Sequence, residues 1–323
     1  MRHFLLKLLL FLTIFCFLLT LINFHEVKIE NSSDYIASII DKHERAQKIK
    51  TPKIIFAGGS HLAFGLDSEM VEKELSVPVV NLGINAGFGL SFMLEEVKHV
   101  MNENDIIIIS FAYLQPNDEI LELKIMAGDY YKEARKFYSL SMYQYLKLYF
   151  SNTRKKYIDL IDNLFKGRSN TTKALENSEE ISVYSRSSFN KYGDMVAHLN
   201  LKPKENLADK EVFNYQYWEE IKSINEFAKY VQKRNAKVYF MYPNMTVGEY
   251  NKNQKVIERL SSDIEKNMKV EKLNTPTSFV YPENLFFDTV YHLNKDGRAI
   301  NTKKIIELMK NNANLYNHLK TIR

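Results

Sequence analysis

Four consecutive isoleucines, Ile106 to Ile109, lie inside the run Asp105 to Phe111 and constrain the fold more than any other stretch of this chain. A short, unbroken β-branched run has no polar face to offer to water. It suits a strand covered by helices on both sides, which is the usual condition of a parallel sheet. Ile54 to Ala57, Val77 to Leu82 and Val238 to Tyr242 have the same character. Around them, apolar residues recur near helical spacing over Asp67 to Leu75, Leu90 to Met101, Tyr215 to Asn235, Tyr250 to Asn267 and Asn294 to Asn311, with Asn294 a suitable N-cap. Strand runs alternating with helices predict a three-layer α/β domain with a parallel sheet over residues 53–323. A helix over Ser33 to Ile49, within a linker of residues 25–52, is expected to join this domain to the N-terminus.

The interval from about residue 115 to about residue 214 separates the third and fourth runs and is far longer than an ordinary crossover. It is predicted to be a mostly helical insertion. Its first half carries Tyr130, Tyr131, Phe137, Tyr138, Tyr143, Tyr145, Tyr149 and Phe150. At helical spacing these read first as core, although tyrosines with one wet end also suit sugar stacking or a membrane interface. A polar stretch from Lys166 to Ser182 reads as a loop, and Ser187 to Asp194 after it has turn chemistry in Asn190, Gly193 and Asp194. Because the insertion leaves the C-terminal edge of the third strand, Asn190 or Asp194 can fold back toward that edge as part of a substrate loop.

The N-terminus places Arg2, His3 and Lys7 before an uncharged apolar run from Leu8 to Ile22. Counted as a helix over residues 4–24, it reaches roughly 30 Å, enough to cross a bilayer. Leu21 to Glu26 lacks the small residues of a cleavage site, so an uncleaved transmembrane signal anchor is expected. Positive charge before the span puts the N-terminus in the cytoplasm and the body outside. The lone cysteine, Cys16, lies inside this run and allows no disulfide within one chain. A net charge of +5 over 323 residues, spread through interspersed Lys and Glu, argues against nucleic acid as a partner. Short clusters such as Arg154-Lys155-Lys156 read as solvated faces. No Cys/His cluster has zinc spacing, and the Gly83 to Gly89 stretch lacks a Walker lysine, so neither a metal nor a cofactor is expected. Abundant Lys, Asn and Ile with 7 Pro points to a bacterial chain, held by a single pass in the cytoplasmic membrane.

The chemistry-bearing segments sit at opposite ends of the chain. Phe56-Ala57-Gly58-Gly59-Ser60-His61 places a hydroxyl where a buried strand ends, the edge at which α/β folds carry out their chemistry. Phe287-Asp288-Thr289-Val290-Tyr291-His292-Leu293-Asn294 brings a carboxylate and an imidazole just before the C-terminal helix. A serine hydroxyl needs a base within hydrogen-bond reach; His292 is the first candidate, and its competitor His61, adjacent to Ser60 and so pointing away from it, reads instead as structural or as part of a substrate loop with Asn190 and Asp194.

With Asn81-Leu82-Gly83-Ile84-Asn85 after the second run, these segments form a pattern that resembles the SGNH (GDSL-like) hydrolase superfamily from about Lys53 to about Leu308. The resemblance is best to its membrane-anchored branch, similar to alginate O-acetylation and teichoic acid D-alanyl transfer proteins. It implies a flavodoxin-like three-layer fold, Ser60 as nucleophile, His292 as base, Asp288 as the acid that orients it, and the Gly83 N–H as an oxyanion donor, with Asn85 a further one. Three positions depart from the family pattern. Gly59 replaces the usual Asp before the serine, Ser110-Phe111-Ala112-Tyr113 replaces Gly-x-Asn-Asp, and Asp288 precedes His292 by four positions rather than three. The resemblance implies extracytoplasmic O-acyl transfer, in the first place of acetyl, to a cell-surface polysaccharide, beside a multi-span membrane acyltransferase. The alternatives are a carbohydrate or lipid esterase of the same fold, and a non-catalytic, membrane-tethered glycan-binding or assembly protein, which the missing Gly-x-Asn-Asp favours.

Overall fold

The structure is a computed structural model and describes residues 32–118, 120–144 and 183–322, with individual residues of 3–17 and of 146–150. The chain divides into two compact units, one of Met1–Ser32 with Ser139–Ile181 and one of Ser33–Tyr138 with Ser182–Arg323. In the first unit the described residues of 3–17 are helical. Among the described residues no helix is long and apolar enough to cross a membrane. Much of the expected span of residues 4–24, and the whole polar stretch of residues 166–182, lie outside the described residues.

The second unit contains seven strands among its described residues: β1 (Ile54–Gly58), β2 (Val79–Asn81), β3 (Ile106–Ser110), β4 (Lys237–Phe240), β5 (Met245–Thr246), β6 (Glu271–Lys272) and β7 (Val280–Tyr281). Five of them form one sheet in the order β2-β1-β3-β4-β6, with every neighbouring pair parallel. Ile54 lies beside both Val79 and Ile106, and Gly58 lies beside Ser110. This order is that of flavodoxin-like sheets, in which the chain reverses its direction of travel across the sheet between β1 and β3. The remaining strands, β5 and β7, make a small parallel pair.

The isoleucine run explains the layering. Because side chains alternate along a strand, Ile107 and Ile109 join one buried cluster with Ile55, Ala57 and Val80, while Ile106 and Ile108 join another with Ile54, Phe56 and Val79. The first cluster is covered by α1 (Ser38–Lys48), α4 (Leu90–Val100), α6 (Ile221–Gln232) and α7 (Val247–Asn267). The second is covered by α3 (Ser68–Leu75), α8 (Lys295–Asn311) and α9 (Ala313–Ile322). The short α2 (Ser60–Gly65) sits between, giving Leu62 to one cluster and Ala63 and Phe64 to the other.

Most boundaries lie within a few residues of the expected ones. Asp67 and Asn294 cap α3 and α8 by accepting from main-chain N–H groups. The helix expected as a linker is instead part of the body. Ile39, Lys42, His43 and Ala46 of α1 are buried, and Arg45 covers the edge strand β2 by donating to Val79 O at 2.8 Å. The apolar stripe of α1 needs a partner face, and β2 with its neighbours supplies one.

Among its described residues the insertion is helical in its first part only. Its first part forms α5 (Leu121–Tyr130) and a 3-10 turn at Lys132–Lys136, whereas its described residues from 183 to 214 are irregular apart from short 3-10 turns. Asn190 accounts for part of that irregularity. Its Oδ1 accepts from the N–H groups of Tyr192 and Asp194, at 2.9 and 3.0 Å, which offers the backbone a tight turn in place of a helix.

Candidate active site

Two short segments converge at the C-terminal edge of the sheet. The first is the joint between β1 and α2. Gly58 closes β1 against β3 so tightly that a Cβ there would lie 1.8 Å from Ser110 O, and only glycine fits. The chain then turns at Gly59, and Ser60 opens α2 with its side chain half-buried. The second segment is a hairpin before α8, closed by antiparallel pairing of Phe286 with Leu293 and by donation from Phe287 N–H to His292 O at 2.7 Å. Within it the Thr289 hydroxyl accepts from the N–H groups of Tyr291 and His292, at 3.2 and 3.1 Å.

These segments bring Ser60, His292 and Asp288 into one relay. His292 Nε2 lies 2.8 Å from Ser60 Oγ, and His292 Nδ1 lies 2.9 Å from Asp288 Oδ1. A carboxylate can only accept, so Nδ1 carries the proton and Nε2 is left to accept from the serine hydroxyl. The hairpin brings Asp288 and His292 together across their four-residue separation. Phe64, one helical turn after Ser60, stacks flat on the imidazole with ring centres 3.9 Å apart and planes 3° from parallel. Thus α2 carries both the hydroxyl and the surface that holds the imidazole.

Burial alone would raise the Asp288 carboxyl, but the hydrogen bond and charge of His292, with the Tyr184 hydroxyl and Lys204, outweigh it and hold Asp288 below its ordinary value. His61 differs sharply from His292. It is buried, its Nε2 lies 2.9 Å from Ser110 Oγ, and burial with the nearby His292 pushes it down to about 3. It faces the end of β3 and lies buried against it.

The other expected residues are placed differently. The Gly83 N–H donates to Asn81 Oδ1 at 2.9 Å, not toward Ser60, because Asn81 closes a local turn over it. Asn85 Oδ1 accepts from Gly87 N–H at 2.8 Å, which commits its carbonyl to the turn and leaves its amide as a donor. The same loop reaches the site joint, with Ala86 packed against Gly59. Asp194 is fully buried and far from being a substrate contact. It accepts from Ser68 N and Oγ, Asn81 Nδ2, Arg298 and Asn190, so its oxygens are saturated by the body. Asn190 and Asp194 therefore anchor the insertion beneath the site, because a buried carboxylate is tolerable only when so completely bonded.

Sequence reasoning missed Tyr184. Its hydroxyl donates to Asp288 Oδ2 at 2.5 Å and lies 3.3 Å from His292 Nδ1, yet nothing in the polar stretch before it marks it. Phe64 was missed as well; its available signal was its place four residues after Ser60 in a helical segment. Among the described residues no group of three or more His, Cys, Asp or Glu is placed to hold a metal ion. Neither the models of known protein families nor the curated proteins include a match to this chain.

Proposed function

We propose that this chain is a membrane-anchored O-acyltransferase of the SGNH hydrolase kind, acting outside the cytoplasm through an acyl-serine intermediate. The observation that carries this reading is the Ser60–His292–Asp288 relay, with contacts of 2.8 and 2.9 Å at the C-terminal edge of a parallel sheet. Ser60 Oγ attacks the carbonyl of an acyl donor while His292 Nε2 takes its proton. The imidazolium, held by Asp288, then protonates the departing group. A sugar hydroxyl attacks the acyl-serine in turn, with His292 as base, and Ser60 recovers its proton. The oxyanion of each tetrahedral intermediate is met by the Ser60 N–H at the start of α2 and by the Asn85 amide, Gly83 being engaged by Asn81.

The acceptor in this reading is a cell-surface polysaccharide, and the donor side is a multi-span membrane acyltransferase. The basic, apolar N-terminus supports a single pass over residues 4–24 with the body on the outer side. The test uses the full chain in detergent or vesicles with a fluorophosphonate probe, then an acetyl ester donor with and without a glycan acceptor. Labelling at Ser60 with acetyl appearing on the glycan is the expected result. Hydrolysis that ignores the acceptor makes the protein an esterase, and an unlabelled Ser60 with no turnover makes it a tethered binding or assembly protein. Ser60→Ala is expected to remove labelling entirely while shifting unfolding by less than about 0.5 kcal/mol, since the side chain is half-exposed at a turn.

A further inference from the structure

We propose that Tyr184 is a positioning residue of the relay, and that through it the insertion supplies a working part of the site. The inference rests on the reading of Ser60 and His292 as nucleophile and base. An O–H to O⁻ contact of 2.5 Å is the short, charge-assisted kind, stronger than a neutral hydrogen bond. Asp288 thus has both oxygens committed, Oδ1 to His292 and Oδ2 to Tyr184, and cannot rotate away from the imidazole. Sharing the carboxylate charge with a hydroxyl also leaves less of it to stabilise an imidazolium.

The Tyr184 ring is placed by contacts from three elements. Its centre lies 5.6 Å from that of Tyr35, 5.9 Å from that of Phe64 and 6.4 Å from that of His292. The Tyr35 hydroxyl donates in turn to Ile84 O at 2.6 Å, in the loop that carries Asn85. The segment behind Tyr184 is fastened to the start of α1. Ser185 pairs with Asp34, Arg186 N–H donates to Ser33 O at 2.9 Å, and the Arg186 guanidinium forks onto Asp41 with two bonds of 2.7 Å. Tyr184 nevertheless keeps 42% of its surface exposed. It is held firmly at the mouth of the site without being part of the core, so its hydroxyl can be removed without unfolding the protein.

Among the described residues, charged and titratable groups face the pair from several elements, and Asp209 of the insertion acts on Tyr184. His61 faces His292 from α2, His198 faces both His292 and Asp288 from the insertion, Tyr35 faces Asp288 from ahead of α1, and Lys204 approaches Asp288 from the insertion. Burial pushes His61 down to about 3 and His198 down to about 4, so neither changes charge where His292 is expected to act.

The test is Tyr184→Phe in the full chain, with two readouts. One is the rate of fluorophosphonate labelling of Ser60 against pH; the other is the titration of the His292 imidazole by 1H–15N NMR. With the hydroxyl gone, the whole carboxylate charge faces His292, which takes up its proton at higher pH. Both the acid limb of labelling and the NMR midpoint should rise, and the limiting rate should fall by about tenfold. Arg186→Ala, which releases the segment without touching the relay, should give a smaller shift of the same sign. Tyr184→Phe with an unmoved midpoint and an unchanged limiting rate overturns the proposal. A wild-type Ser60 that never labels overturns the acyl-serine reading instead, and the NMR midpoint still decides the role of Tyr184.

Discussion

Lys42 shows how much a single residue can hold together. Its ammonium is buried in α1 and donates to Asn81 O at 3.0 Å, Gly83 O at 2.9 Å and Gly193 O, joining the end of β2, the loop after it and the turn of the insertion. Three N–H groups meet three carbonyls, and Phe189 lies 4.5 Å from the charge. Burial pushes Lys42 down to about 7, against the pull of Asp194, Glu96 and Asp41. The unfolded chain keeps a lysine protonated to about 10.4. Between about pH 7 and that value it therefore holds a proton the native state lacks, and stability rises with pH, by at most about 1.4 kcal/mol per unit. The urea midpoint should climb from pH 6.5 to 8.5 in the wild type and stay flat in Lys42→Met. That variant should also lose about 3 kcal/mol at pH 7, since three buried carbonyls lose their donor. Sequence alone marks Lys42 as one more solvated cation on a helix; only the fold makes it internal. His292 and Asp288 were legible because they fall just before a capped helix, while Asp194 was read as a substrate contact because a turn signature does not tell which way a carboxylate faces.

At the scale of elements, the joint between β1 and α2 is the least forgiving. A Cβ on Gly58 collides with Ser110 O, which is main chain and cannot yield, whereas one on Gly59 meets the Ala86 side chain at 3.2 Å. Gly58→Ala should force β1 from β3, cost at least about 3 kcal/mol by thermal unfolding and abolish labelling of Ser60. Gly59→Ala should keep the fold at a smaller cost. The three internal strands were legible as apolar runs because helices cover them on both faces, and the edge strand β2 was legible as the apolar run Val77 to Leu82. The edge strand β6, Glu271–Lys272, was not, since two polar residues pairing with β4 carry no period of their own. The start of α6 was misjudged for a tertiary reason. Trp218 Nε1 donates to Gln115 O at 2.7 Å and holds the chain extended past Tyr215, so that the helix begins at Ile221.

For the whole molecule, the domain boundary lies earlier than the strand pattern suggests. Tyr35, Ile36 and Ile39 are buried with the main core, and Lys42 and Arg45 bond β2 and its loop. A chain of residues 33–323 should fold as a soluble protein that labels at Ser60, and one of residues 53–323 should aggregate or remain unfolded. Circular dichroism and gel filtration decide between these outcomes. The apolar core was foreseen from the isoleucine run, but the role of α1 was not. A helix read singly announces that it has an apolar stripe without naming the surface the stripe will meet.

Ser60 and His292 are separated by 232 positions along the chain. Until the last hairpin is synthesised and docked, the hydroxyl has no base and is as unreactive as any surface serine. On the proposed reading, a growing chain emerging from the ribosome thus passes most of its synthesis without an activated serine. Loop closure over such a distance is slow compared with forming local helices. Refolding from urea should therefore recover helical circular dichroism first and fluorophosphonate labelling later. The delay between the two signals gives the time at which the relay is assembled.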